Sequence, residues 1–505
     1  MIKPQVKNLR NAVRFLKSLD EVLVVKKEVD PIYEIAAIQK SLDGGPCLLF
    51  EEIKGYPGVR DVGNIFSQKS RAATLFGCKD IREFKILCRE AINHPVPPRT
   101  VGAGACQEVV ITENLDVTAT LPILKHTERD GGRILGSAVI LVGGEYFKGG
   151  QEISFKRMNF RGKDWASIKA LRGTHFGDLA LKDHRDAVIP LTLNIGAPPA
   201  ALLVAGGSSL HAIMPTGTDE LAIAGGLQRA PVPLVKAKTV DAYAIAEAEW
   251  VIEGYVDTKE RVWETDEAEK IGKFNQAPFF PEWAGYMGWA VRTLKFHATA
   301  ITHKKDRPVF YSPLARSFEG DNLVATLREA CFWELAERLY PGFVQDVNIL
   351  HGVTPSSGVV FQVKKGSAEE GFQRNLIATA LSASPTMRMV VVVDDDVDIY
   401  SAEDVLWAIT TRCETESGII KGAGGRRIVM FPSDTLGAGG HDADFLTEAG
   451  IGIDATVPLK SKAHFERAHY PVDKIDLSKW FSDKELSKAR SRQNEYGKVL
   501  GLTGR

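Results

Sequence analysis

The chain has 505 residues, too many for one ordinary hydrophobic core, so two or three domains are expected. With 44% hydrophobic residues, 25% charged residues and a net charge of -1, it has a globular composition and no electrostatic reason to bind nucleic acid or an anionic membrane. The N-terminus lacks an apolar core of signal-peptide length, and no later run reaches the roughly 18 apolar residues of a membrane span, so a cytoplasmic protein is expected. The six cysteines contain no C-x-x-C pair and are interpreted as buried thiols rather than as disulfides or zinc ligands.

The first hundred residues alternate predicted helices with short strands, which is typical of an α/β domain. Apolar side chains at helical spacing over 7–19 predict an amphipathic helix, and further helices around 32–42 and 80–92 alternate with strands such as 47–50. The segment 94–99 contains three prolines and cannot continue a helix. We therefore place an N-terminal α/β domain at 1–105.

Short strands dominate the next two hundred residues, and we place a second domain at 106–315. Glycine and proline punctuate the strands, as at 196–199 and 214–217, which favours a β-barrel over a doubly wound sheet. No G-x-G-x-x-G follows a strand, so a Rossmann dinucleotide site is not supported, and Gly206-Gly207 is interpreted as a turn. The predicted strands include 108–112, 138–142, 188–193 and 201–204.

Long helices at 322–339 and 372–381 then alternate with a strand at 389–393, predicting a C-terminal α/β domain at 316–475. Four consecutive valines in that strand suit a parallel sheet buried on both faces. Asp394 to Asp396 follow the strand, where such sheets often bind ligands, although an acidic turn capping the next helix, at 401–412, is the simpler interpretation. The charged tail at 476–505 is predicted to be a helix that packs on something else.

One stretch, Glu152-Ile-Ser-Phe-Lys-Arg157, concentrates the chemistry together with His175 and Glu220. Its alternation predicts a strand with Ile153 and Phe155 on one side and a polar opposite side. Two carboxylates and an imidazole suit a divalent metal, and Arg157 can hold a carboxylate through two hydrogen bonds. Metal and anion would then share one pocket. Spacing alone also fits a surface strand with an ordinary Glu and Arg.

The spacing Glu-x4-Arg, then Thr174-His175, then Asp219-Glu220-Leu-Ala-Ile-Ala-Gly-Gly-Leu, resembles the metal and flavin site of the UbiD family of decarboxylases, which use prenylated FMN. Further signatures occur in the family's order, at 29–35, 248–254, 390–398 and 408–412. The resemblance implies a central split β-barrel that binds the flavin, flanked by an N-terminal α/β domain and a C-terminal α/β oligomerisation domain with a terminal helix.

The resemblance also implies which residues bind the cofactors. Glu152, His175 and Glu220 match the ligands of a Mn2+, with a K+ completing the bridge to the FMN phosphate. Most members have Asn at the first position, so Glu152 adds a negative charge close to a phosphate. Arg388 matches a phosphate-binding position but is equally interpreted as a surface charge. The residues expected to line the flavin, mainly through backbone groups, are Ser154, Phe155, Lys156 and Thr174, beside Arg157.

Two residues match the family's catalytic positions. Arg157 corresponds to the arginine that orients the substrate carboxylate, and Glu282, in Phe280-Pro-Glu282-Trp-Ala-Gly-Tyr286, corresponds to the proton donor, which burial beside Pro281 and Trp283 should keep protonated. The family usually has a second carboxylate five residues earlier, where this chain has Ala277. Candidates to compensate, each also explained by a structural or solvent-facing role, are His351, Lys364 and His441.

We therefore expect non-oxidative, reversible decarboxylation of an aromatic or heteroaromatic acid. The altered relay favours an electron-rich ring, such as a hydroxybenzoate-, indole-, pyrrole- or phenazine-type acid. The alternatives are a redox enzyme with ordinary FMN on the same fold and a non-catalytic assembly protein. The resemblance further implies a homodimer or larger even homo-oligomer and dependence on a flavin prenyltransferase for the cofactor.

Overall fold

A computed structural model describes residues 6–207, 210–428, 431, 445–468 and 470–493. The chain forms two compact units, Met1–Thr456 and Val457–Arg505. Within the described ranges, no helix is both long enough and apolar enough to cross a membrane.

The larger unit begins with helices around a small mixed sheet. Strands β1 (Val22–Val25) and β2 (Cys47–Phe50) run parallel, and β2 runs antiparallel to β3 (Arg60–Gly63). Two of the helices start at side-chain caps, because Asn8 accepts a hydrogen bond from the Asn11 amide and Asp80 accepts one from Glu83. The elements are α1 (Leu9–Ser18), β1 (Val22–Val25), α2 (Glu34–Ser41), β2 (Cys47–Phe50), β3 (Arg60–Gly63), α3 (Lys69–Leu75) and α4 (Ile81–Asn93).

The middle of the chain forms an antiparallel barrel. Its elements are β4 (Arg99–Val101), β5 (Val109–Ile111), α5 (Val117–Thr120), β6 (Ile134–Gly143), β7 (Gln151–Phe160), β8 (Trp165–Ile168), α6 (His175–Asp178), β9 (Val188–Ile195), α7 (Pro199–Gly207), α8 (Glu220–Gln228), β10 (Pro233–Lys236), β11 (Tyr243–Ile245), β12 (Trp250–Trp263), α9 (Asp266–Ile271), β13 (Pro278–Pro281), β14 (Met287–Trp289), β15 (Arg292–His303) and β16 (Val309–Tyr311).

Six of these strands close the barrel in the order β12-β9-β6-β7-β8-β15, with β12 pairing back to β15. Alternate residues of the strands fill its interior with apolar side chains, among them Ile140, Met158 and Leu193. The prediction of a central barrel between α/β regions is confirmed. Strand β16 returns to the first sheet by pairing in parallel with β3.

Residues 201–204, predicted to be a strand, instead belong to helix α7, and this prediction was wrong. A short apolar run cannot be assigned to strand or helix by periodicity, and this one is buried all round. Gly206 and Gly207 are likewise helical rather than a turn. A Cβ at Gly206 would lie 2.5 Å from the carbonyl oxygen of Leu323, so the glycines let two helix backbones approach closely.

The C-terminal part of the larger unit packs helices on a five-stranded sheet of order β17-β18-β19-β23-β20. Strands β18, β19 and β23 are parallel, and Val390 to Val393 are fully buried, as the run of valines predicts. Arg412 donates to Asp394 and Asp396, so two carboxylates of the acidic turn serve a local ion pair. The elements are α10 (Phe318–Leu339), β17 (Val344–Asn348), β18 (Gly358–Val363), α11 (Phe372–Ala383), β19 (Met389–Asp394), α12 (Ala402–Arg412), β20 (Ile419–Lys421), β21 (Gly425–Ile428), β22 (Phe445–Glu448) and β23 (Ile451–Ala455).

The smaller unit contains short 3-10 turns followed by helix α13 (Asp483–Gln493). This helix begins seven residues later than the tail helix predicted from 476, since 477–479 form a 3-10 turn. Large apolar side chains before the helix are exposed, including Tyr470 at 79% and Trp480 at 62%.

Candidate active site

Strand β7 carries most of the predicted site residues, and its alternation sorts them onto two faces. Ile153 belongs to the large core that contains α7 and α8, and Phe155 packs against that core. Met158 faces the barrel interior, as do Glu152, Ser154 and Lys156 by the same alternation. Arg157 falls on the face of Ile153 and Phe155. The metal-ligand candidate and the arginine therefore point to opposite sides of one strand, which differs from the single pocket expected.

Glu152, His175 and Glu220 come together as a buried cluster whose ligand atoms all lie within 4.8 Å of one another. His175 Nδ1 lies 3.0 Å from Glu220 Oε1 and 3.4 Å from Glu152 Oε2. Three elements supply the three residues: β7, the start of α6 and the start of α8. A Cβ at Gly150 would lie 2.6 Å from the carbonyl oxygen of Gly217, so the loops leading to β7 and α8 meet at a glycine.

Side-chain and backbone contacts fix the orientation of these ligands. His175 Nε2 lies 3.1 Å from the carbonyl oxygen of Met214, which can only accept, so Nε2 carries a hydrogen and Nδ1 faces the carboxylates. The amide of Ile153 donates to Glu220 Oε2. Among the described residues, Glu152 Oε2 is a buried oxygen with no hydrogen-bond donor. A divalent cation binds to ligand atoms that offer free electron pairs. This buried carboxylate oxygen and the imidazole nitrogen that faces it can each offer one, so the residues fit a metal.

The cluster strongly perturbs proton binding. Burial and the charge of Glu152 raise the pKa of Glu220 to about 8. Burial alone would lower the pKa of His175, but the adjacent Glu152 and Glu220 carboxylates outweigh it and raise the pKa to about 10. The metal-free imidazole is therefore protonated at neutral pH, and a metal ion would have to displace that proton.

Ser154 and Lys156 extend the cluster along the inner face of β7. The Lys156 ammonium donates to Ser154 Oγ over 2.7 Å, and Ser154 Oγ donates to Glu152 Oε1 over 2.7 Å. The same ammonium lies 5.2 Å from the centre of the Phe176 ring. Lys156 was expected to contribute mainly its backbone, whereas its side chain is part of the charged network.

Arg157 is held by two carboxylates from distant parts of the chain. Glu264 accepts from Nε over 3.1 Å and from Nη2 over 2.9 Å, a bidentate pair. Glu282 accepts from Nη1, and the guanidinium lies 4.6 Å from the centre of the Phe279 ring. The Arg157 and Glu264 side chains are 9% and 0% exposed, so this pairing is shielded from water, whereas Glu282 is 25% exposed.

Glu264 is the site residue that sequence reasoning missed. It follows β12 and precedes α9, and its Oε2 also accepts from the amide of Val291. Ala277, where the family usually has its second acid, is instead fully buried beside Phe279 and Ala290 in an apolar cluster. The sequence shows a carboxylate in the Trp263-Glu264-Thr265 segment. No local pattern connects it with the site, because its partner Arg157 is 107 residues away.

Glu282 sits at the end of β13 in a short hairpin with β14. Its amide donates to the carbonyl of Tyr286, and its own carbonyl accepts from Gly285. A Cβ at Gly288 would lie 2.7 Å from Glu282 Cγ, so a glycine is needed there to leave room for the acid. The hairpin thus directs Glu282 toward Arg157.

The remaining candidates have other neighbours. Thr174 caps α6 by accepting from the Gly177 amide, and Arg388 lies over the Phe431 ring. His351 packs on Phe318 with Nδ1 3.6 Å from Asp321, and exposed Lys364 lies 3.9 Å from Asp395. His441 lies outside the described residues. Five of the six cysteines are buried, as predicted, and Cys413 is partly exposed.

Comparisons with known proteins cover most of the chain. The family models of the N-terminal, Rift-related and C-terminal domains of 3-octaprenyl-4-hydroxybenzoate carboxy-lyase match residues 13–90, 99–315 and 321–455. Gallate decarboxylase of Lactiplantibacillus plantarum is 29% identical over 470 residues, 88% of this chain and 92% of the relative. Anhydromevalonate phosphate decarboxylase of Methanosarcina mazei is 26% identical over 465 residues, 92% of this chain and 99% of the relative.

The fold also matches a solved structure over nearly its whole length. An evolved dimeric form of the UbiD-class enzyme HmfF from Pelotomaculum thermopropionicum, in complex with prFMN, aligns with a TM-score of 0.80 and 30% identity. The alignment covers 94% of this chain and 100% of that one.

Proposed function

This chain belongs to the UbiD family of carboxy-lyases, and from that premise we propose that it removes carbon dioxide from an aromatic or heteroaromatic acid with prenylated FMN as cofactor. The observation that carries the proposal is the Arg157 guanidinium, shared between a buried carboxylate and a partly exposed one. Such an arrangement can exchange one carboxylate for that of a substrate while keeping the arginine in place.

We assign the metal site to Glu152, His175 and Glu220, with Mn2+ as the ion. Two carboxylate oxygens and one imidazole nitrogen are suitable ligands for that ion. The HmfF relative binds prenylated FMN, and its phosphate would be held through the metal, with K+ as a second cation and Arg388 as a further candidate contact. Ser154, Phe155, Lys156 and Thr174 would line the flavin.

Arg157 would orient the substrate. Glu264 occupies Nε and Nη2, which leaves Nη1, now paired with Glu282, as the donor that an incoming carboxylate can take over. Binding would then free Glu282 from its ion pair. Because the Glu264 contact is buried and bidentate, the guanidinium would keep its direction during this exchange.

Glu282 would then return the proton. The electron pair left when carbon dioxide departs needs an acceptor, which is the chemistry that bound prenylated FMN supplies. Glu282, which is partly exposed, would take up a proton from solvent once the substrate displaces it from Arg157, and would donate that proton to the carbon that lost the carboxylate. Once deprotonated it would pair with Arg157 again. Microscopic reversibility makes the same pair competent for carboxylation.

The surroundings favour an aromatic substrate. Phe279 lies against Arg157, and Trp289, whose carbonyl accepts from Arg157 Nη2, and Tyr286 expose rings on the same hairpin. Gallate decarboxylase, the more identical of the two relatives, is named for an electron-rich phenolic acid. The anhydromevalonate phosphate decarboxylase relative motivates a second candidate, a non-aromatic unsaturated acid that carries a phosphate.

We also propose partners for the chain. A homodimer or larger even homo-oligomer is supported by the exposed apolar residues of 457–493 and by the dimeric HmfF relative. A flavin prenyltransferase would be needed to supply the cofactor.

Mass spectrometry of the cofactor bound by the protein, made together with a flavin prenyltransferase, tests this function. We expect prenylated FMN with about one Mn2+ per chain, and carbon dioxide release from a panel of phenolic and heteroaromatic acids without NAD(P)H or oxygen. His175→Ala should lose metal and flavin together. Bound ordinary FMN with NAD(P)H consumption would contradict the proposal, as would an acid panel in which the phosphorylated unsaturated acid alone reacts.

A further inference from the structure

We propose that the Lys156 side chain binds the phosphate of the flavin. Its positive charge compensates for the negative charge of Glu152. The inference rests on the proposed metal and flavin site. It goes further by giving a role to a side chain that was expected to contribute mainly its backbone.

The first observation is the linkage between the two residues. Lys156 Nζ donates to Ser154 Oγ, which in turn donates to Glu152 Oε1, both over 2.7 Å. Positions 152, 154 and 156 alternate along one face of β7, so the strand itself holds them in a row. Ser154 is the single hydrogen-bond acceptor of this ammonium within the ranges that the structure describes. Two of its three N–H donors therefore remain for another acceptor.

The second observation is the charge of the cluster. Glu152 and Glu220 are two buried carboxylates, and a divalent ion would bring their sum to zero. A phosphate dianion placed beside a neutral cluster gains little from it. With the Lys156 ammonium, the metal-loaded site carries one net positive charge. A site with a neutral first ligand in place of Glu152 and no lysine would carry the same charge. Glu152 and Lys156 thus act as a compensating pair.

The third observation is the partial burial of Lys156, whose ammonium lies 5.2 Å from the centre of the fully buried Phe176 ring. A charge in such surroundings interacts more strongly with a nearby anion than one in bulk water. A phosphate could therefore be held by this donor as well as by the metal.

Binding of FMN and of riboflavin to Mn2+-loaded protein, followed by fluorescence, tests the pair. Riboflavin lacks the phosphate, so Lys156→Met should weaken FMN binding about tenfold or more and leave riboflavin binding unchanged. Lys295→Met is the matched control, because Lys295 is a partly buried lysine on barrel strand β15 that pairs with Glu260. It should bind both flavins as the wild type does.

The double variant Glu152→Gln with Lys156→Met restores the net charge and should bind FMN more tightly than Lys156→Met alone, at saturating Mn2+. Thermal unfolding and Mn2+ binding by electron paramagnetic resonance show whether each variant is folded and loaded. The inference is overturned if folded Lys156→Met binds FMN as tightly as wild type, if riboflavin binding falls equally, or if the double variant gains nothing. A wild-type protein that binds no Mn2+ would instead overturn the proposed metal site itself.

Discussion

Arg157 has two different kinds of partner, and the difference sets the role of each. Glu264 is buried and bidentate, so it fixes the guanidinium, while Glu282 is more exposed and makes one contact, the one that we propose the substrate replaces. Neither partner is close to Arg157 in sequence. The ion pairs therefore depend on the long strands β7 and β12 and the hairpin after α9 being assembled correctly.

Replacing Glu264 by Gln should lower kcat by roughly a hundredfold while changing KM much less. The reason is that the amide cannot hold Arg157 through two charged hydrogen bonds, and a misdirected guanidinium misplaces the reacting carboxylate. Steady-state kinetics on the decarboxylated acid measure both constants. Asp266→Asn, which alters an exposed carboxylate two residues away that pairs with Arg161, serves as the control and should leave both constants unchanged. Equal losses in the two variants would remove Glu264 from the site.

The sequence predicted that Glu152, His175 and Glu220 lie together, and the structure brings them into one buried cluster. It did not predict Glu264, since an ion pair across 107 residues leaves no local pattern. It also did not predict that Lys156 would join the cluster through its side chain. Side-chain direction depends on which face of β7 is buried, and both faces of this strand are covered.

Among the elements, helix α7 shows how close packing depends on single glycines. Gly206 and Gly207 face helix α10, and a Cβ at Gly207 would lie 2.5 Å from that of Leu327. Helices α1 and α4 were predictable because each has apolar residues along one face. Helix α7 was not, because an apolar run buried on every side carries no periodic signal.

Gly206→Ala should lower the free energy of unfolding by about 1–3 kcal/mol, because the added methyl group meets the backbone of Leu323 and the helices must separate. Denaturant unfolding followed by circular dichroism measures the change. Gly102→Ala is the control, since a Cβ there meets nothing within 4 Å. If both substitutions have the same small effect, α7 and α10 are not packed as described.

Asp61, in strand β3 beside the end of β16, is a buried acid whose ionisation destabilises the folded state. Asp61 accepts from Ser312 Oγ over 2.6 Å, and burial raises its pKa to about 8. The folded state therefore holds a proton that the unfolded chain, with a carboxyl pKa near 4, releases. This group's contribution to stability is greatest at low pH and declines as pH rises from about 4 toward 8.

Asp61→Asn, a neutral substitute of the same shape, should stabilise the protein by roughly 1–3 kcal/mol at pH 8 and by little at pH 5. Urea unfolding at the two pH values gives the comparison. Asp306→Asn, which changes a largely exposed carboxylate, provides a control with no such pH dependence. A stabilisation of Asp61→Asn that is the same at both pH values would show that Asp61 is not protonated in the folded state.

At the scale of the whole molecule, the main unit combines an antiparallel barrel with α/β regions, and the family models match the chain within 13–455. The smaller unit has a different character, because its apolar side chains are exposed. The sequence predicted a tail that packs on something else, although its helix begins at Asp483 rather than at 476.

Light scattering should show the full-length protein as a dimer or a larger even oligomer, and deletion of residues beyond 475 should shift the mass to that of a smaller species. The physical reason is that exposed side chains such as Trp480 and Phe481 lose contact with water in an assembly. A monomeric full-length protein would contradict the proposed assembly.

We propose that Arg157 orients the substrate and that Glu282 returns the proton, and exchange of the product's ring hydrogen with D2O separates these roles most directly. Exchange requires the proton donor but no substrate carboxylate, because the product has none. With loaded enzyme, Glu282→Gln should abolish both decarboxylation and exchange. Arg157→Ala should lose decarboxylation but retain measurable exchange. Exchange that survives in Glu282→Gln would contradict the account and move the acid role to another residue.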